Sequence, residues 1–262
     1  MTMREFKKNY HTHTALCNHA RGEIRDYVEA AASRGLDTIG FSCHAPYPFG
    51  DRFHSWFRMT PEQNDYYARE ILSLKEEFAG KIDVKLGYEA EYYPALWNEL
   101  LTEIGRYPCD YIILGQHFYN NEYDGLYAGD CVDDIRAVKG YVRILCEAMR
   151  TGLYTYVAHP DLNNYSGDVD EYVDAMRPIC EVSMETDTPL EINLLGIRGR
   201  RRYPKSAFWK MVGEYDCKVV CGSDAHSPDE ILCRDDFKTA MEMVDRYGLN
   251  YTDDIVLKPV VK

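Results

Sequence analysis

The sequence has no apolar run approaching the roughly 20 residues that span a bilayer, no CxxC pair, no low-complexity segment and no stretch with linker composition. The first gap excludes a helical membrane protein. The opening Met1-Thr2-Met3-Arg4-Glu5-Phe6-Lys7-Lys8 also lacks an apolar stretch of signal-peptide length, so the cytoplasm is the expected compartment. The nine cysteines are odd in number and scattered from Cys17 to Cys233, which argues against a disulfide framework or a zinc-thiolate knuckle. Most read as small buried hydrophobes. Basic residues are scarce too: 30 Lys and Arg stand against 43 Asp and Glu, a formal charge of -13. That balance opposes a sequence-independent grip on a phosphate backbone, so a small substrate is expected rather than a nucleic acid. Any anion-binding site must supply its own positive charge.

What is present describes an ordinary globular protein. Hydrophobic residues at 45% and charged residues at 28% exclude a disordered or fibrous chain. A chain of 262 residues can bury a sizeable core, and one domain spanning 1–262 is expected.

Short apolar or β-branched runs recur, each followed by a polar cluster and then by helical periodicity, as in repeated βα units. Candidate strands end at Asn9-Tyr10, Thr38–Phe41, Val84–Tyr88 and Tyr111–Gly115; three more are Thr155–Ala158, Leu190–Asn193 and Lys218–Gly222. Glu23–Ser33 reads as a helix with Ile24, Val28, Ala31 and Ala32 inward, stopping near Gly35. Pro61–Phe78 reads as a longer helix, with Thr60 as N-cap and proline in the first position. Asp133–Thr151, Asp168–Thr186, Lys205–Tyr215 and Asp229–Tyr247 complete the helical set. Seven strands alternating with helices suit a barrel better than a doubly wound open sheet, because the chemistry below is spread over nearly all the strand ends.

Eight histidines carry that chemistry, and all but His54 fall at a strand end or in the loop after it. His11 and His13 alternate onto one face of a strand, where both can reach one metal. His44, His117, His159 and the Asp224-Ala225-His226 triplet close four further runs, and His19 follows the first. A histidine taken singly is more often structural than a ligand; seven converging on one face of a parallel α/β fold reverse that expectation. Glu89 is the preferred bridging carboxylate, while Glu91, of the same strand parity, either contacts metal or braces a ligand. These donors exceed the needs of one ion, so two or three divalent ions are expected, with Zn, Mn or Fe suited to imidazole and carboxylate.

The motifs His11-Thr12-His13-Thr14, Cys17-Asn18-His19, Ser42-Cys43-His44-Ala45-Pro46, Gly87–Tyr92, Gly115-Gln116-His117, Ala158-His159-Pro160-Asp161, Leu190–Asn193 and Gly222-Ser223-Asp224-Ala225-His226 together resemble the PHP (polymerase and histidinol phosphatase) superfamily. Within it, Arg58–Lys75 and Glu191–Pro204 resemble the histidinol-phosphatase family. The resemblance implies a distorted (β/α)7 TIM-like barrel of the PHP type with a trinuclear centre. By position, His11, His13, Glu89 and Asp224 would hold one ion, Glu89, His117 and His159 a second, and His19, His44 and His226 a third. It also implies a phosphomonoester hydrolase acting on L-histidinol phosphate in histidine biosynthesis. Alternatives are another small phosphate ester, a nucleic-acid end, or a metal-binding domain of this fold without turnover. Relatives often carry a basic residue shortly after the histidine of the fifth strand, where this chain has Asn163-Asn164.

For such a reaction, clustered ions would activate water and hold the attacking and leaving oxygens. His44 or His226 would protonate the leaving alkoxide. Arg198, in the run Arg198 to Arg202, is the expected phosphate clamp, and Tyr47 and Tyr119 are expected to line the substrate pocket.

Overall fold

A computed structural model of the chain describes residues 4–50 and 53–260. Met1, Thr2 and Met3 of the opening segment read above lie outside the described residues. Among the described residues ten strands are interspersed with eight α-helices. The strands are β1 (Lys8–Asn9), β2 (Thr38–Phe41), β3 (Asp83–Glu89), β4 (Tyr111–Leu114), β5 (Cys131–Val132), β6 (Tyr154–Val157), β7 (Asn164–Tyr165), β8 (Leu190–Asn193), β9 (Lys218–Gly222) and β10 (Asn250–Tyr251). The helices are α1 (Ile24–Ser33), α2 (Asn64–Glu77), α3 (Trp97–Ile104), α4 (Ile135–Arg150), α5 (Val169–Thr186), α6 (Leu194–Arg198), α7 (Ser206–Val212) and α8 (Arg234–Tyr247). Among the described residues no helix is long and apolar enough to cross a membrane.

Eight strands form one sheet in the order β1-β2-β3-β4-β6-β8-β9-β10, all neighbours parallel; β5 and β7 form a separate two-stranded ribbon. The sheet curls until its ends meet. Beyond β1, Thr12 bridges Ala225 in parallel, the His13 amide donates to the Ala225 carbonyl at 2.9 Å, and the Ala225 amide donates to the His11 carbonyl. At the C-terminal rim, therefore, seven strands close on themselves, which excludes the doubly wound alternative. At the opposite rim β10 pairs with the start of β9, Asn250 against Lys218, an eighth strand that the sequence reading did not contain.

Alternation sends Tyr111, Ile113, Tyr156, Ala158 and Val220 into the barrel, where they pack with Tyr10 under Ile255 and Leu257 of the C-terminal segment. Gly40 and Gly87 make room for the Tyr111 ring, since a Cβ at either would lie 2.4 Å from it. The other strand faces pack against the helices in the larger core. Helix starts follow local chemistry. Asp134 and Asp168 accept amide hydrogens as N-caps of α4 and α5, and Thr60 with Gln63 forms a capping box ahead of α2. The expected Asp229–Tyr247 helix begins later, at Arg234, because Pro228–Glu230 forms a separate short turn of 3-10 helix.

Candidate metal centre

Every strand that closes the rim contributes to one pocket there. Glu89, the last residue of β3, is 1% exposed and central. Its Oε1 lies 2.8 Å from His159 Nε2, 3.5 Å from His117 Nε2 and 3.7 Å from His11 Nε2; its Oε2 lies 3.0 Å from His44 Nδ1 and 3.5 Å from His13 Nε2. Asp224 Oδ1 approaches His13 Nε2 at 3.2 Å and His11 Nε2 at 3.6 Å. His19 and His226 meet Nε2 to Nε2 at 3.0 Å. The seven histidines and two carboxylates singled out in the sequence are thus brought together, and His54 is not among them.

The backbone is bent to achieve this. His159 and Asp224 sit in the left-handed region at φ 31° and 47°, a conformation that costs non-glycine residues of order 1 kcal/mol and is concentrated at functional sites. Gly115 and Gly222 leave space for carboxylates: a Cβ at Gly115 would lie 1.9 Å from Glu89 Oε1, and one at Gly222 the same distance from Glu191 Oε1.

A surrounding layer fixes the rings. Glu191 Oε1 takes His11 Nδ1 at 2.8 Å, and Asn193 Nδ2 donates to both Glu191 and Asp224. Glu91 lies at the edge of the centre, its carboxylate within 4.8 Å of donor atoms of His44 and His117. It receives His117 Nδ1 at 3.0 Å and is gripped by both terminal nitrogens of buried Arg58, whose Nε donates to Glu122 at 2.7 Å. Fully buried, Glu91 is not a solvated carboxylate; it stands behind His117, whose Nε2 turns inward. Glu191, Arg58 and Glu122 were not recognised from sequence; the only signal was a carboxylate inside the apolar strand run Leu190–Asn193.

The electrostatics fit cations. Burial would raise the Glu89 carboxyl, yet the charges of His117, His44 and His11 hold it well below the usual range. Asp224 is likewise held down, against burial, by His11, His13 and His226. Burial disfavours charge on His13, but Asp224, Cys43 and Glu89 carry its pKa up to about 9. His226 goes the other way, down to about 3, through burial and the charge of His13.

The buried atoms His11 Nε2, His44 Nδ1, Glu89 Oε2 and Asp224 Oδ1 have no hydrogen-bond partner, a costly arrangement for dry polar groups. His19 Nδ1 lies 2.7 Å from the Cys17 carbonyl and His226 Nδ1 3.1 Å from that of Asp224. Both rings must then carry their proton on Nδ1, so two Nε2 lone pairs face each other at 3.0 Å. A cation between them removes that repulsion. Donor atoms of His19, His44 and His226, of His11, His13 and Glu89, and of His11, His159 and Asp224 each fall within 4.8 Å of one another. The residues present fit divalent ions.

The cavity over this cluster holds about 630 Å³ and is also lined by Trp56, Phe57, Phe118, Tyr127, Arg201, Tyr203 and Glu230. Three expected substrate contacts are not on it. Arg198 ends α6 and turns to Asp236 at 3.2 Å and Glu230 at 3.5 Å, so its guanidinium is already neutralised. Arg201 takes its place on the wall, bonded to Tyr203 at 2.9 Å. Tyr47 is buried under Arg58 and donates to the Glu91 carbonyl, while Tyr119 packs against Tyr141. Arg202 reaches the Asn164 side chain at 3.2 Å.

Residues 9–194 match the PHP domain family. The chain belongs to that family. Its PHP relatives include a "Probable histidinol-phosphatase" of Deinococcus radiodurans, 32% identical over 230 residues that cover 84% of this chain and 86% of that protein. The histidinol-phosphatase of Bacillus subtilis is 25% identical over 266 residues, 86% of this chain and 95% of its own. A Lactococcus lactis histidinol phosphate phosphatase, solved with zinc, L-histidinol and phosphate, shares the fold at a TM-score of 0.71 and 20% identity, over 94% of this chain and 95% of that one. Within the PHP family the chain groups with the histidinol-phosphatases.

Proposed function

We propose that this protein is a metal-dependent phosphoric monoester hydrolase that converts L-histidinol phosphate and water to L-histidinol and phosphate, a step of histidine biosynthesis. The observation that carries the reading is the set of buried, unpartnered imidazole and carboxylate lone pairs converging on Glu89 and Asp224, together with relatives of that name over most of the chain. His11, His13, Glu89 and Asp224 are assigned to one ion, His117 and His159 with bridging Glu89 to a second, and His19, His44 and His226 to a third. Zn, Mn or Fe suits these donors. Bound there, divalent ions would neutralise phosphoryl oxygens and supply activated water.

The chain's own residues do the rest. Arg201 offers a guanidinium fork to the phosphoryl oxygens, in the role first expected of Arg198. Glu230, on the same cavity, is shared between the Arg198 guanidinium at 3.5 Å and the His226 amide at 2.8 Å, so it positions the His226 loop. The ion assignment commits both His44 and His226 to the third ion, and the Nδ1 of each already faces an oxygen, Glu89 at 3.0 Å and the Asp224 carbonyl at 3.1 Å, so neither keeps a free ring nitrogen for the leaving oxygen. The test is phosphate release by the Zn- or Mn-loaded protein from L-histidinol phosphate, glycerol phosphate and a 3′-phosphorylated oligonucleotide. A preference of at least about ten-fold in kcat/KM for the first, worth about 1.4 kcal/mol, is expected. Bound metal without turnover of any ester would instead identify a non-catalytic metal-binding domain.

A further inference from the structure

Of the three tryptophans, Trp97 and Trp209 are buried, whereas Trp56 is 73% exposed and yet lines the cavity over the cluster. It ends a continuous arc of rings. Tyr127 lies 5.9 Å from Phe118, Phe118 5.8 Å from Phe57, and Phe57 5.5 Å from Trp56, whose indole stands 6.3 Å from His19. The arc runs along one cavity wall, and Glu230, which accepts the His226 amide at 2.8 Å, adds a carboxylate to the same cavity. Arg201 and Tyr203 form a different part of the lining, next to His159. The pocket therefore offers two kinds of surface: a guanidinium suits a phosphoryl group, and a wall of rings suits a flat organic group, aromatic or cationic.

We propose that this arc is the subsite for the alcohol portion of the substrate, and that Trp56 is a specificity-determining residue selecting phosphate esters whose alcohol carries an aromatic or cationic ring. The inference rests on the phosphatase reading and names what the same site discriminates. An indole left in water at a cavity mouth buries little area within the protein, so its loss leaves the core intact. Covering it with an imidazole supplies the missing contact, and the negative ring face attracts positive charge.

Trp56→Ala should raise KM for L-histidinol phosphate about ten-fold, the scale of one ring-cation contact, and lower the preference for L-histidinol phosphate over glycerol phosphate in kcat/KM by the same factor. Trp56→Phe should keep most of the discrimination. Independently of turnover, L-histidinol should quench the fluorescence of the metal-loaded wild type and leave that of Trp56→Phe, which retains only the buried tryptophans, unaffected. An unchanged KM in Trp56→Ala, or quenching that persists in Trp56→Phe, overturns the subsite while the phosphatase reading stands. No release of phosphate from L-histidinol phosphate by the wild type overturns the reading itself.

Discussion

Gly115→Ala adds a single methyl group one residue beyond β4, at a position outside the left-handed region, so the backbone accepts alanine without strain. The new Cβ would lie 1.9 Å from Glu89 Oε1 and 2.4 Å from its Cδ. Real contacts of this kind keep at least about 3 Å, so the carboxylate must retreat by about 1 Å. It has nowhere neutral to go: the same group lies 2.8 Å from His159 and 3.0 Å from His44. Misplacing a reacting constellation by about 1 Å costs on the order of 100-fold in rate, or about 2.7 kcal/mol of transition-state stabilisation. The assay is kcat/KM and metal content of one preparation, read against Gly140→Ala. At Gly140, in α4, an added Cβ meets nothing within 4 Å; that variant should be fully active and about 1 kcal/mol more stable. Wild-type metal content and turnover in Gly115→Ala would refute the central role given to Glu89.

Arg201→Ala should lower kcat/KM about 100-fold, as expected for one donor to a phosphoryl group, and weaken inhibition by inorganic phosphate, while Arg198→Ala leaves both near wild type. Arg58→Met strands Glu91 and Glu122 in the interior and should cost about 3 kcal/mol in urea denaturation of the metal-free protein, with Glu122→Gln milder. Glu89→Gln should lose metal and activity together, read by elemental analysis and phosphate release on the same sample. Chelation should lower Tm, and ions restored at about 1,000 times Kd should return about 4 kcal/mol per site; a Tm indifferent to chelator would contradict the metal assignment.

The strand ends were legible because an apolar run followed by histidine marks the rim of a parallel fold, and the ligands arrive there by alternation alone. What lies one bond further out was not. Trp97–Ile104 was passed over as a helix because eight residues after Pro94 give barely two turns of periodicity. Arg198 and Arg201 are indistinguishable in sequence; five residues of α6 and a left-handed Arg200 at φ 47° decide which one faces the cavity. Tyr47 and Tyr119, expected on the pocket, are turned inward by packing against Arg58 and Tyr141, and Tyr127 and Tyr203 stand on the wall instead. Glu191 looked like one more polar residue in a motif until its distance to His11 was known.

Ser223 donates its hydroxyl hydrogen to the His11 carbonyl across 212 residues of chain, beside the Thr12 and Ala225 bridge that closes the rim. Asp224 and the His11 and His13 imidazoles are thus neighbours only after nearly the whole polypeptide has been made and wrapped. A chain cut before β9 presents imidazoles but no closed rim, because the Thr12 and Ala225 bridge that joins the ends of the sheet is then missing. A C-terminal deletion reaching β9 would remove Asp224 and His226 together with the strand that closes the rim, leaving the upstream donors of His11, His13, Glu89, His117 and His159 without their enclosure.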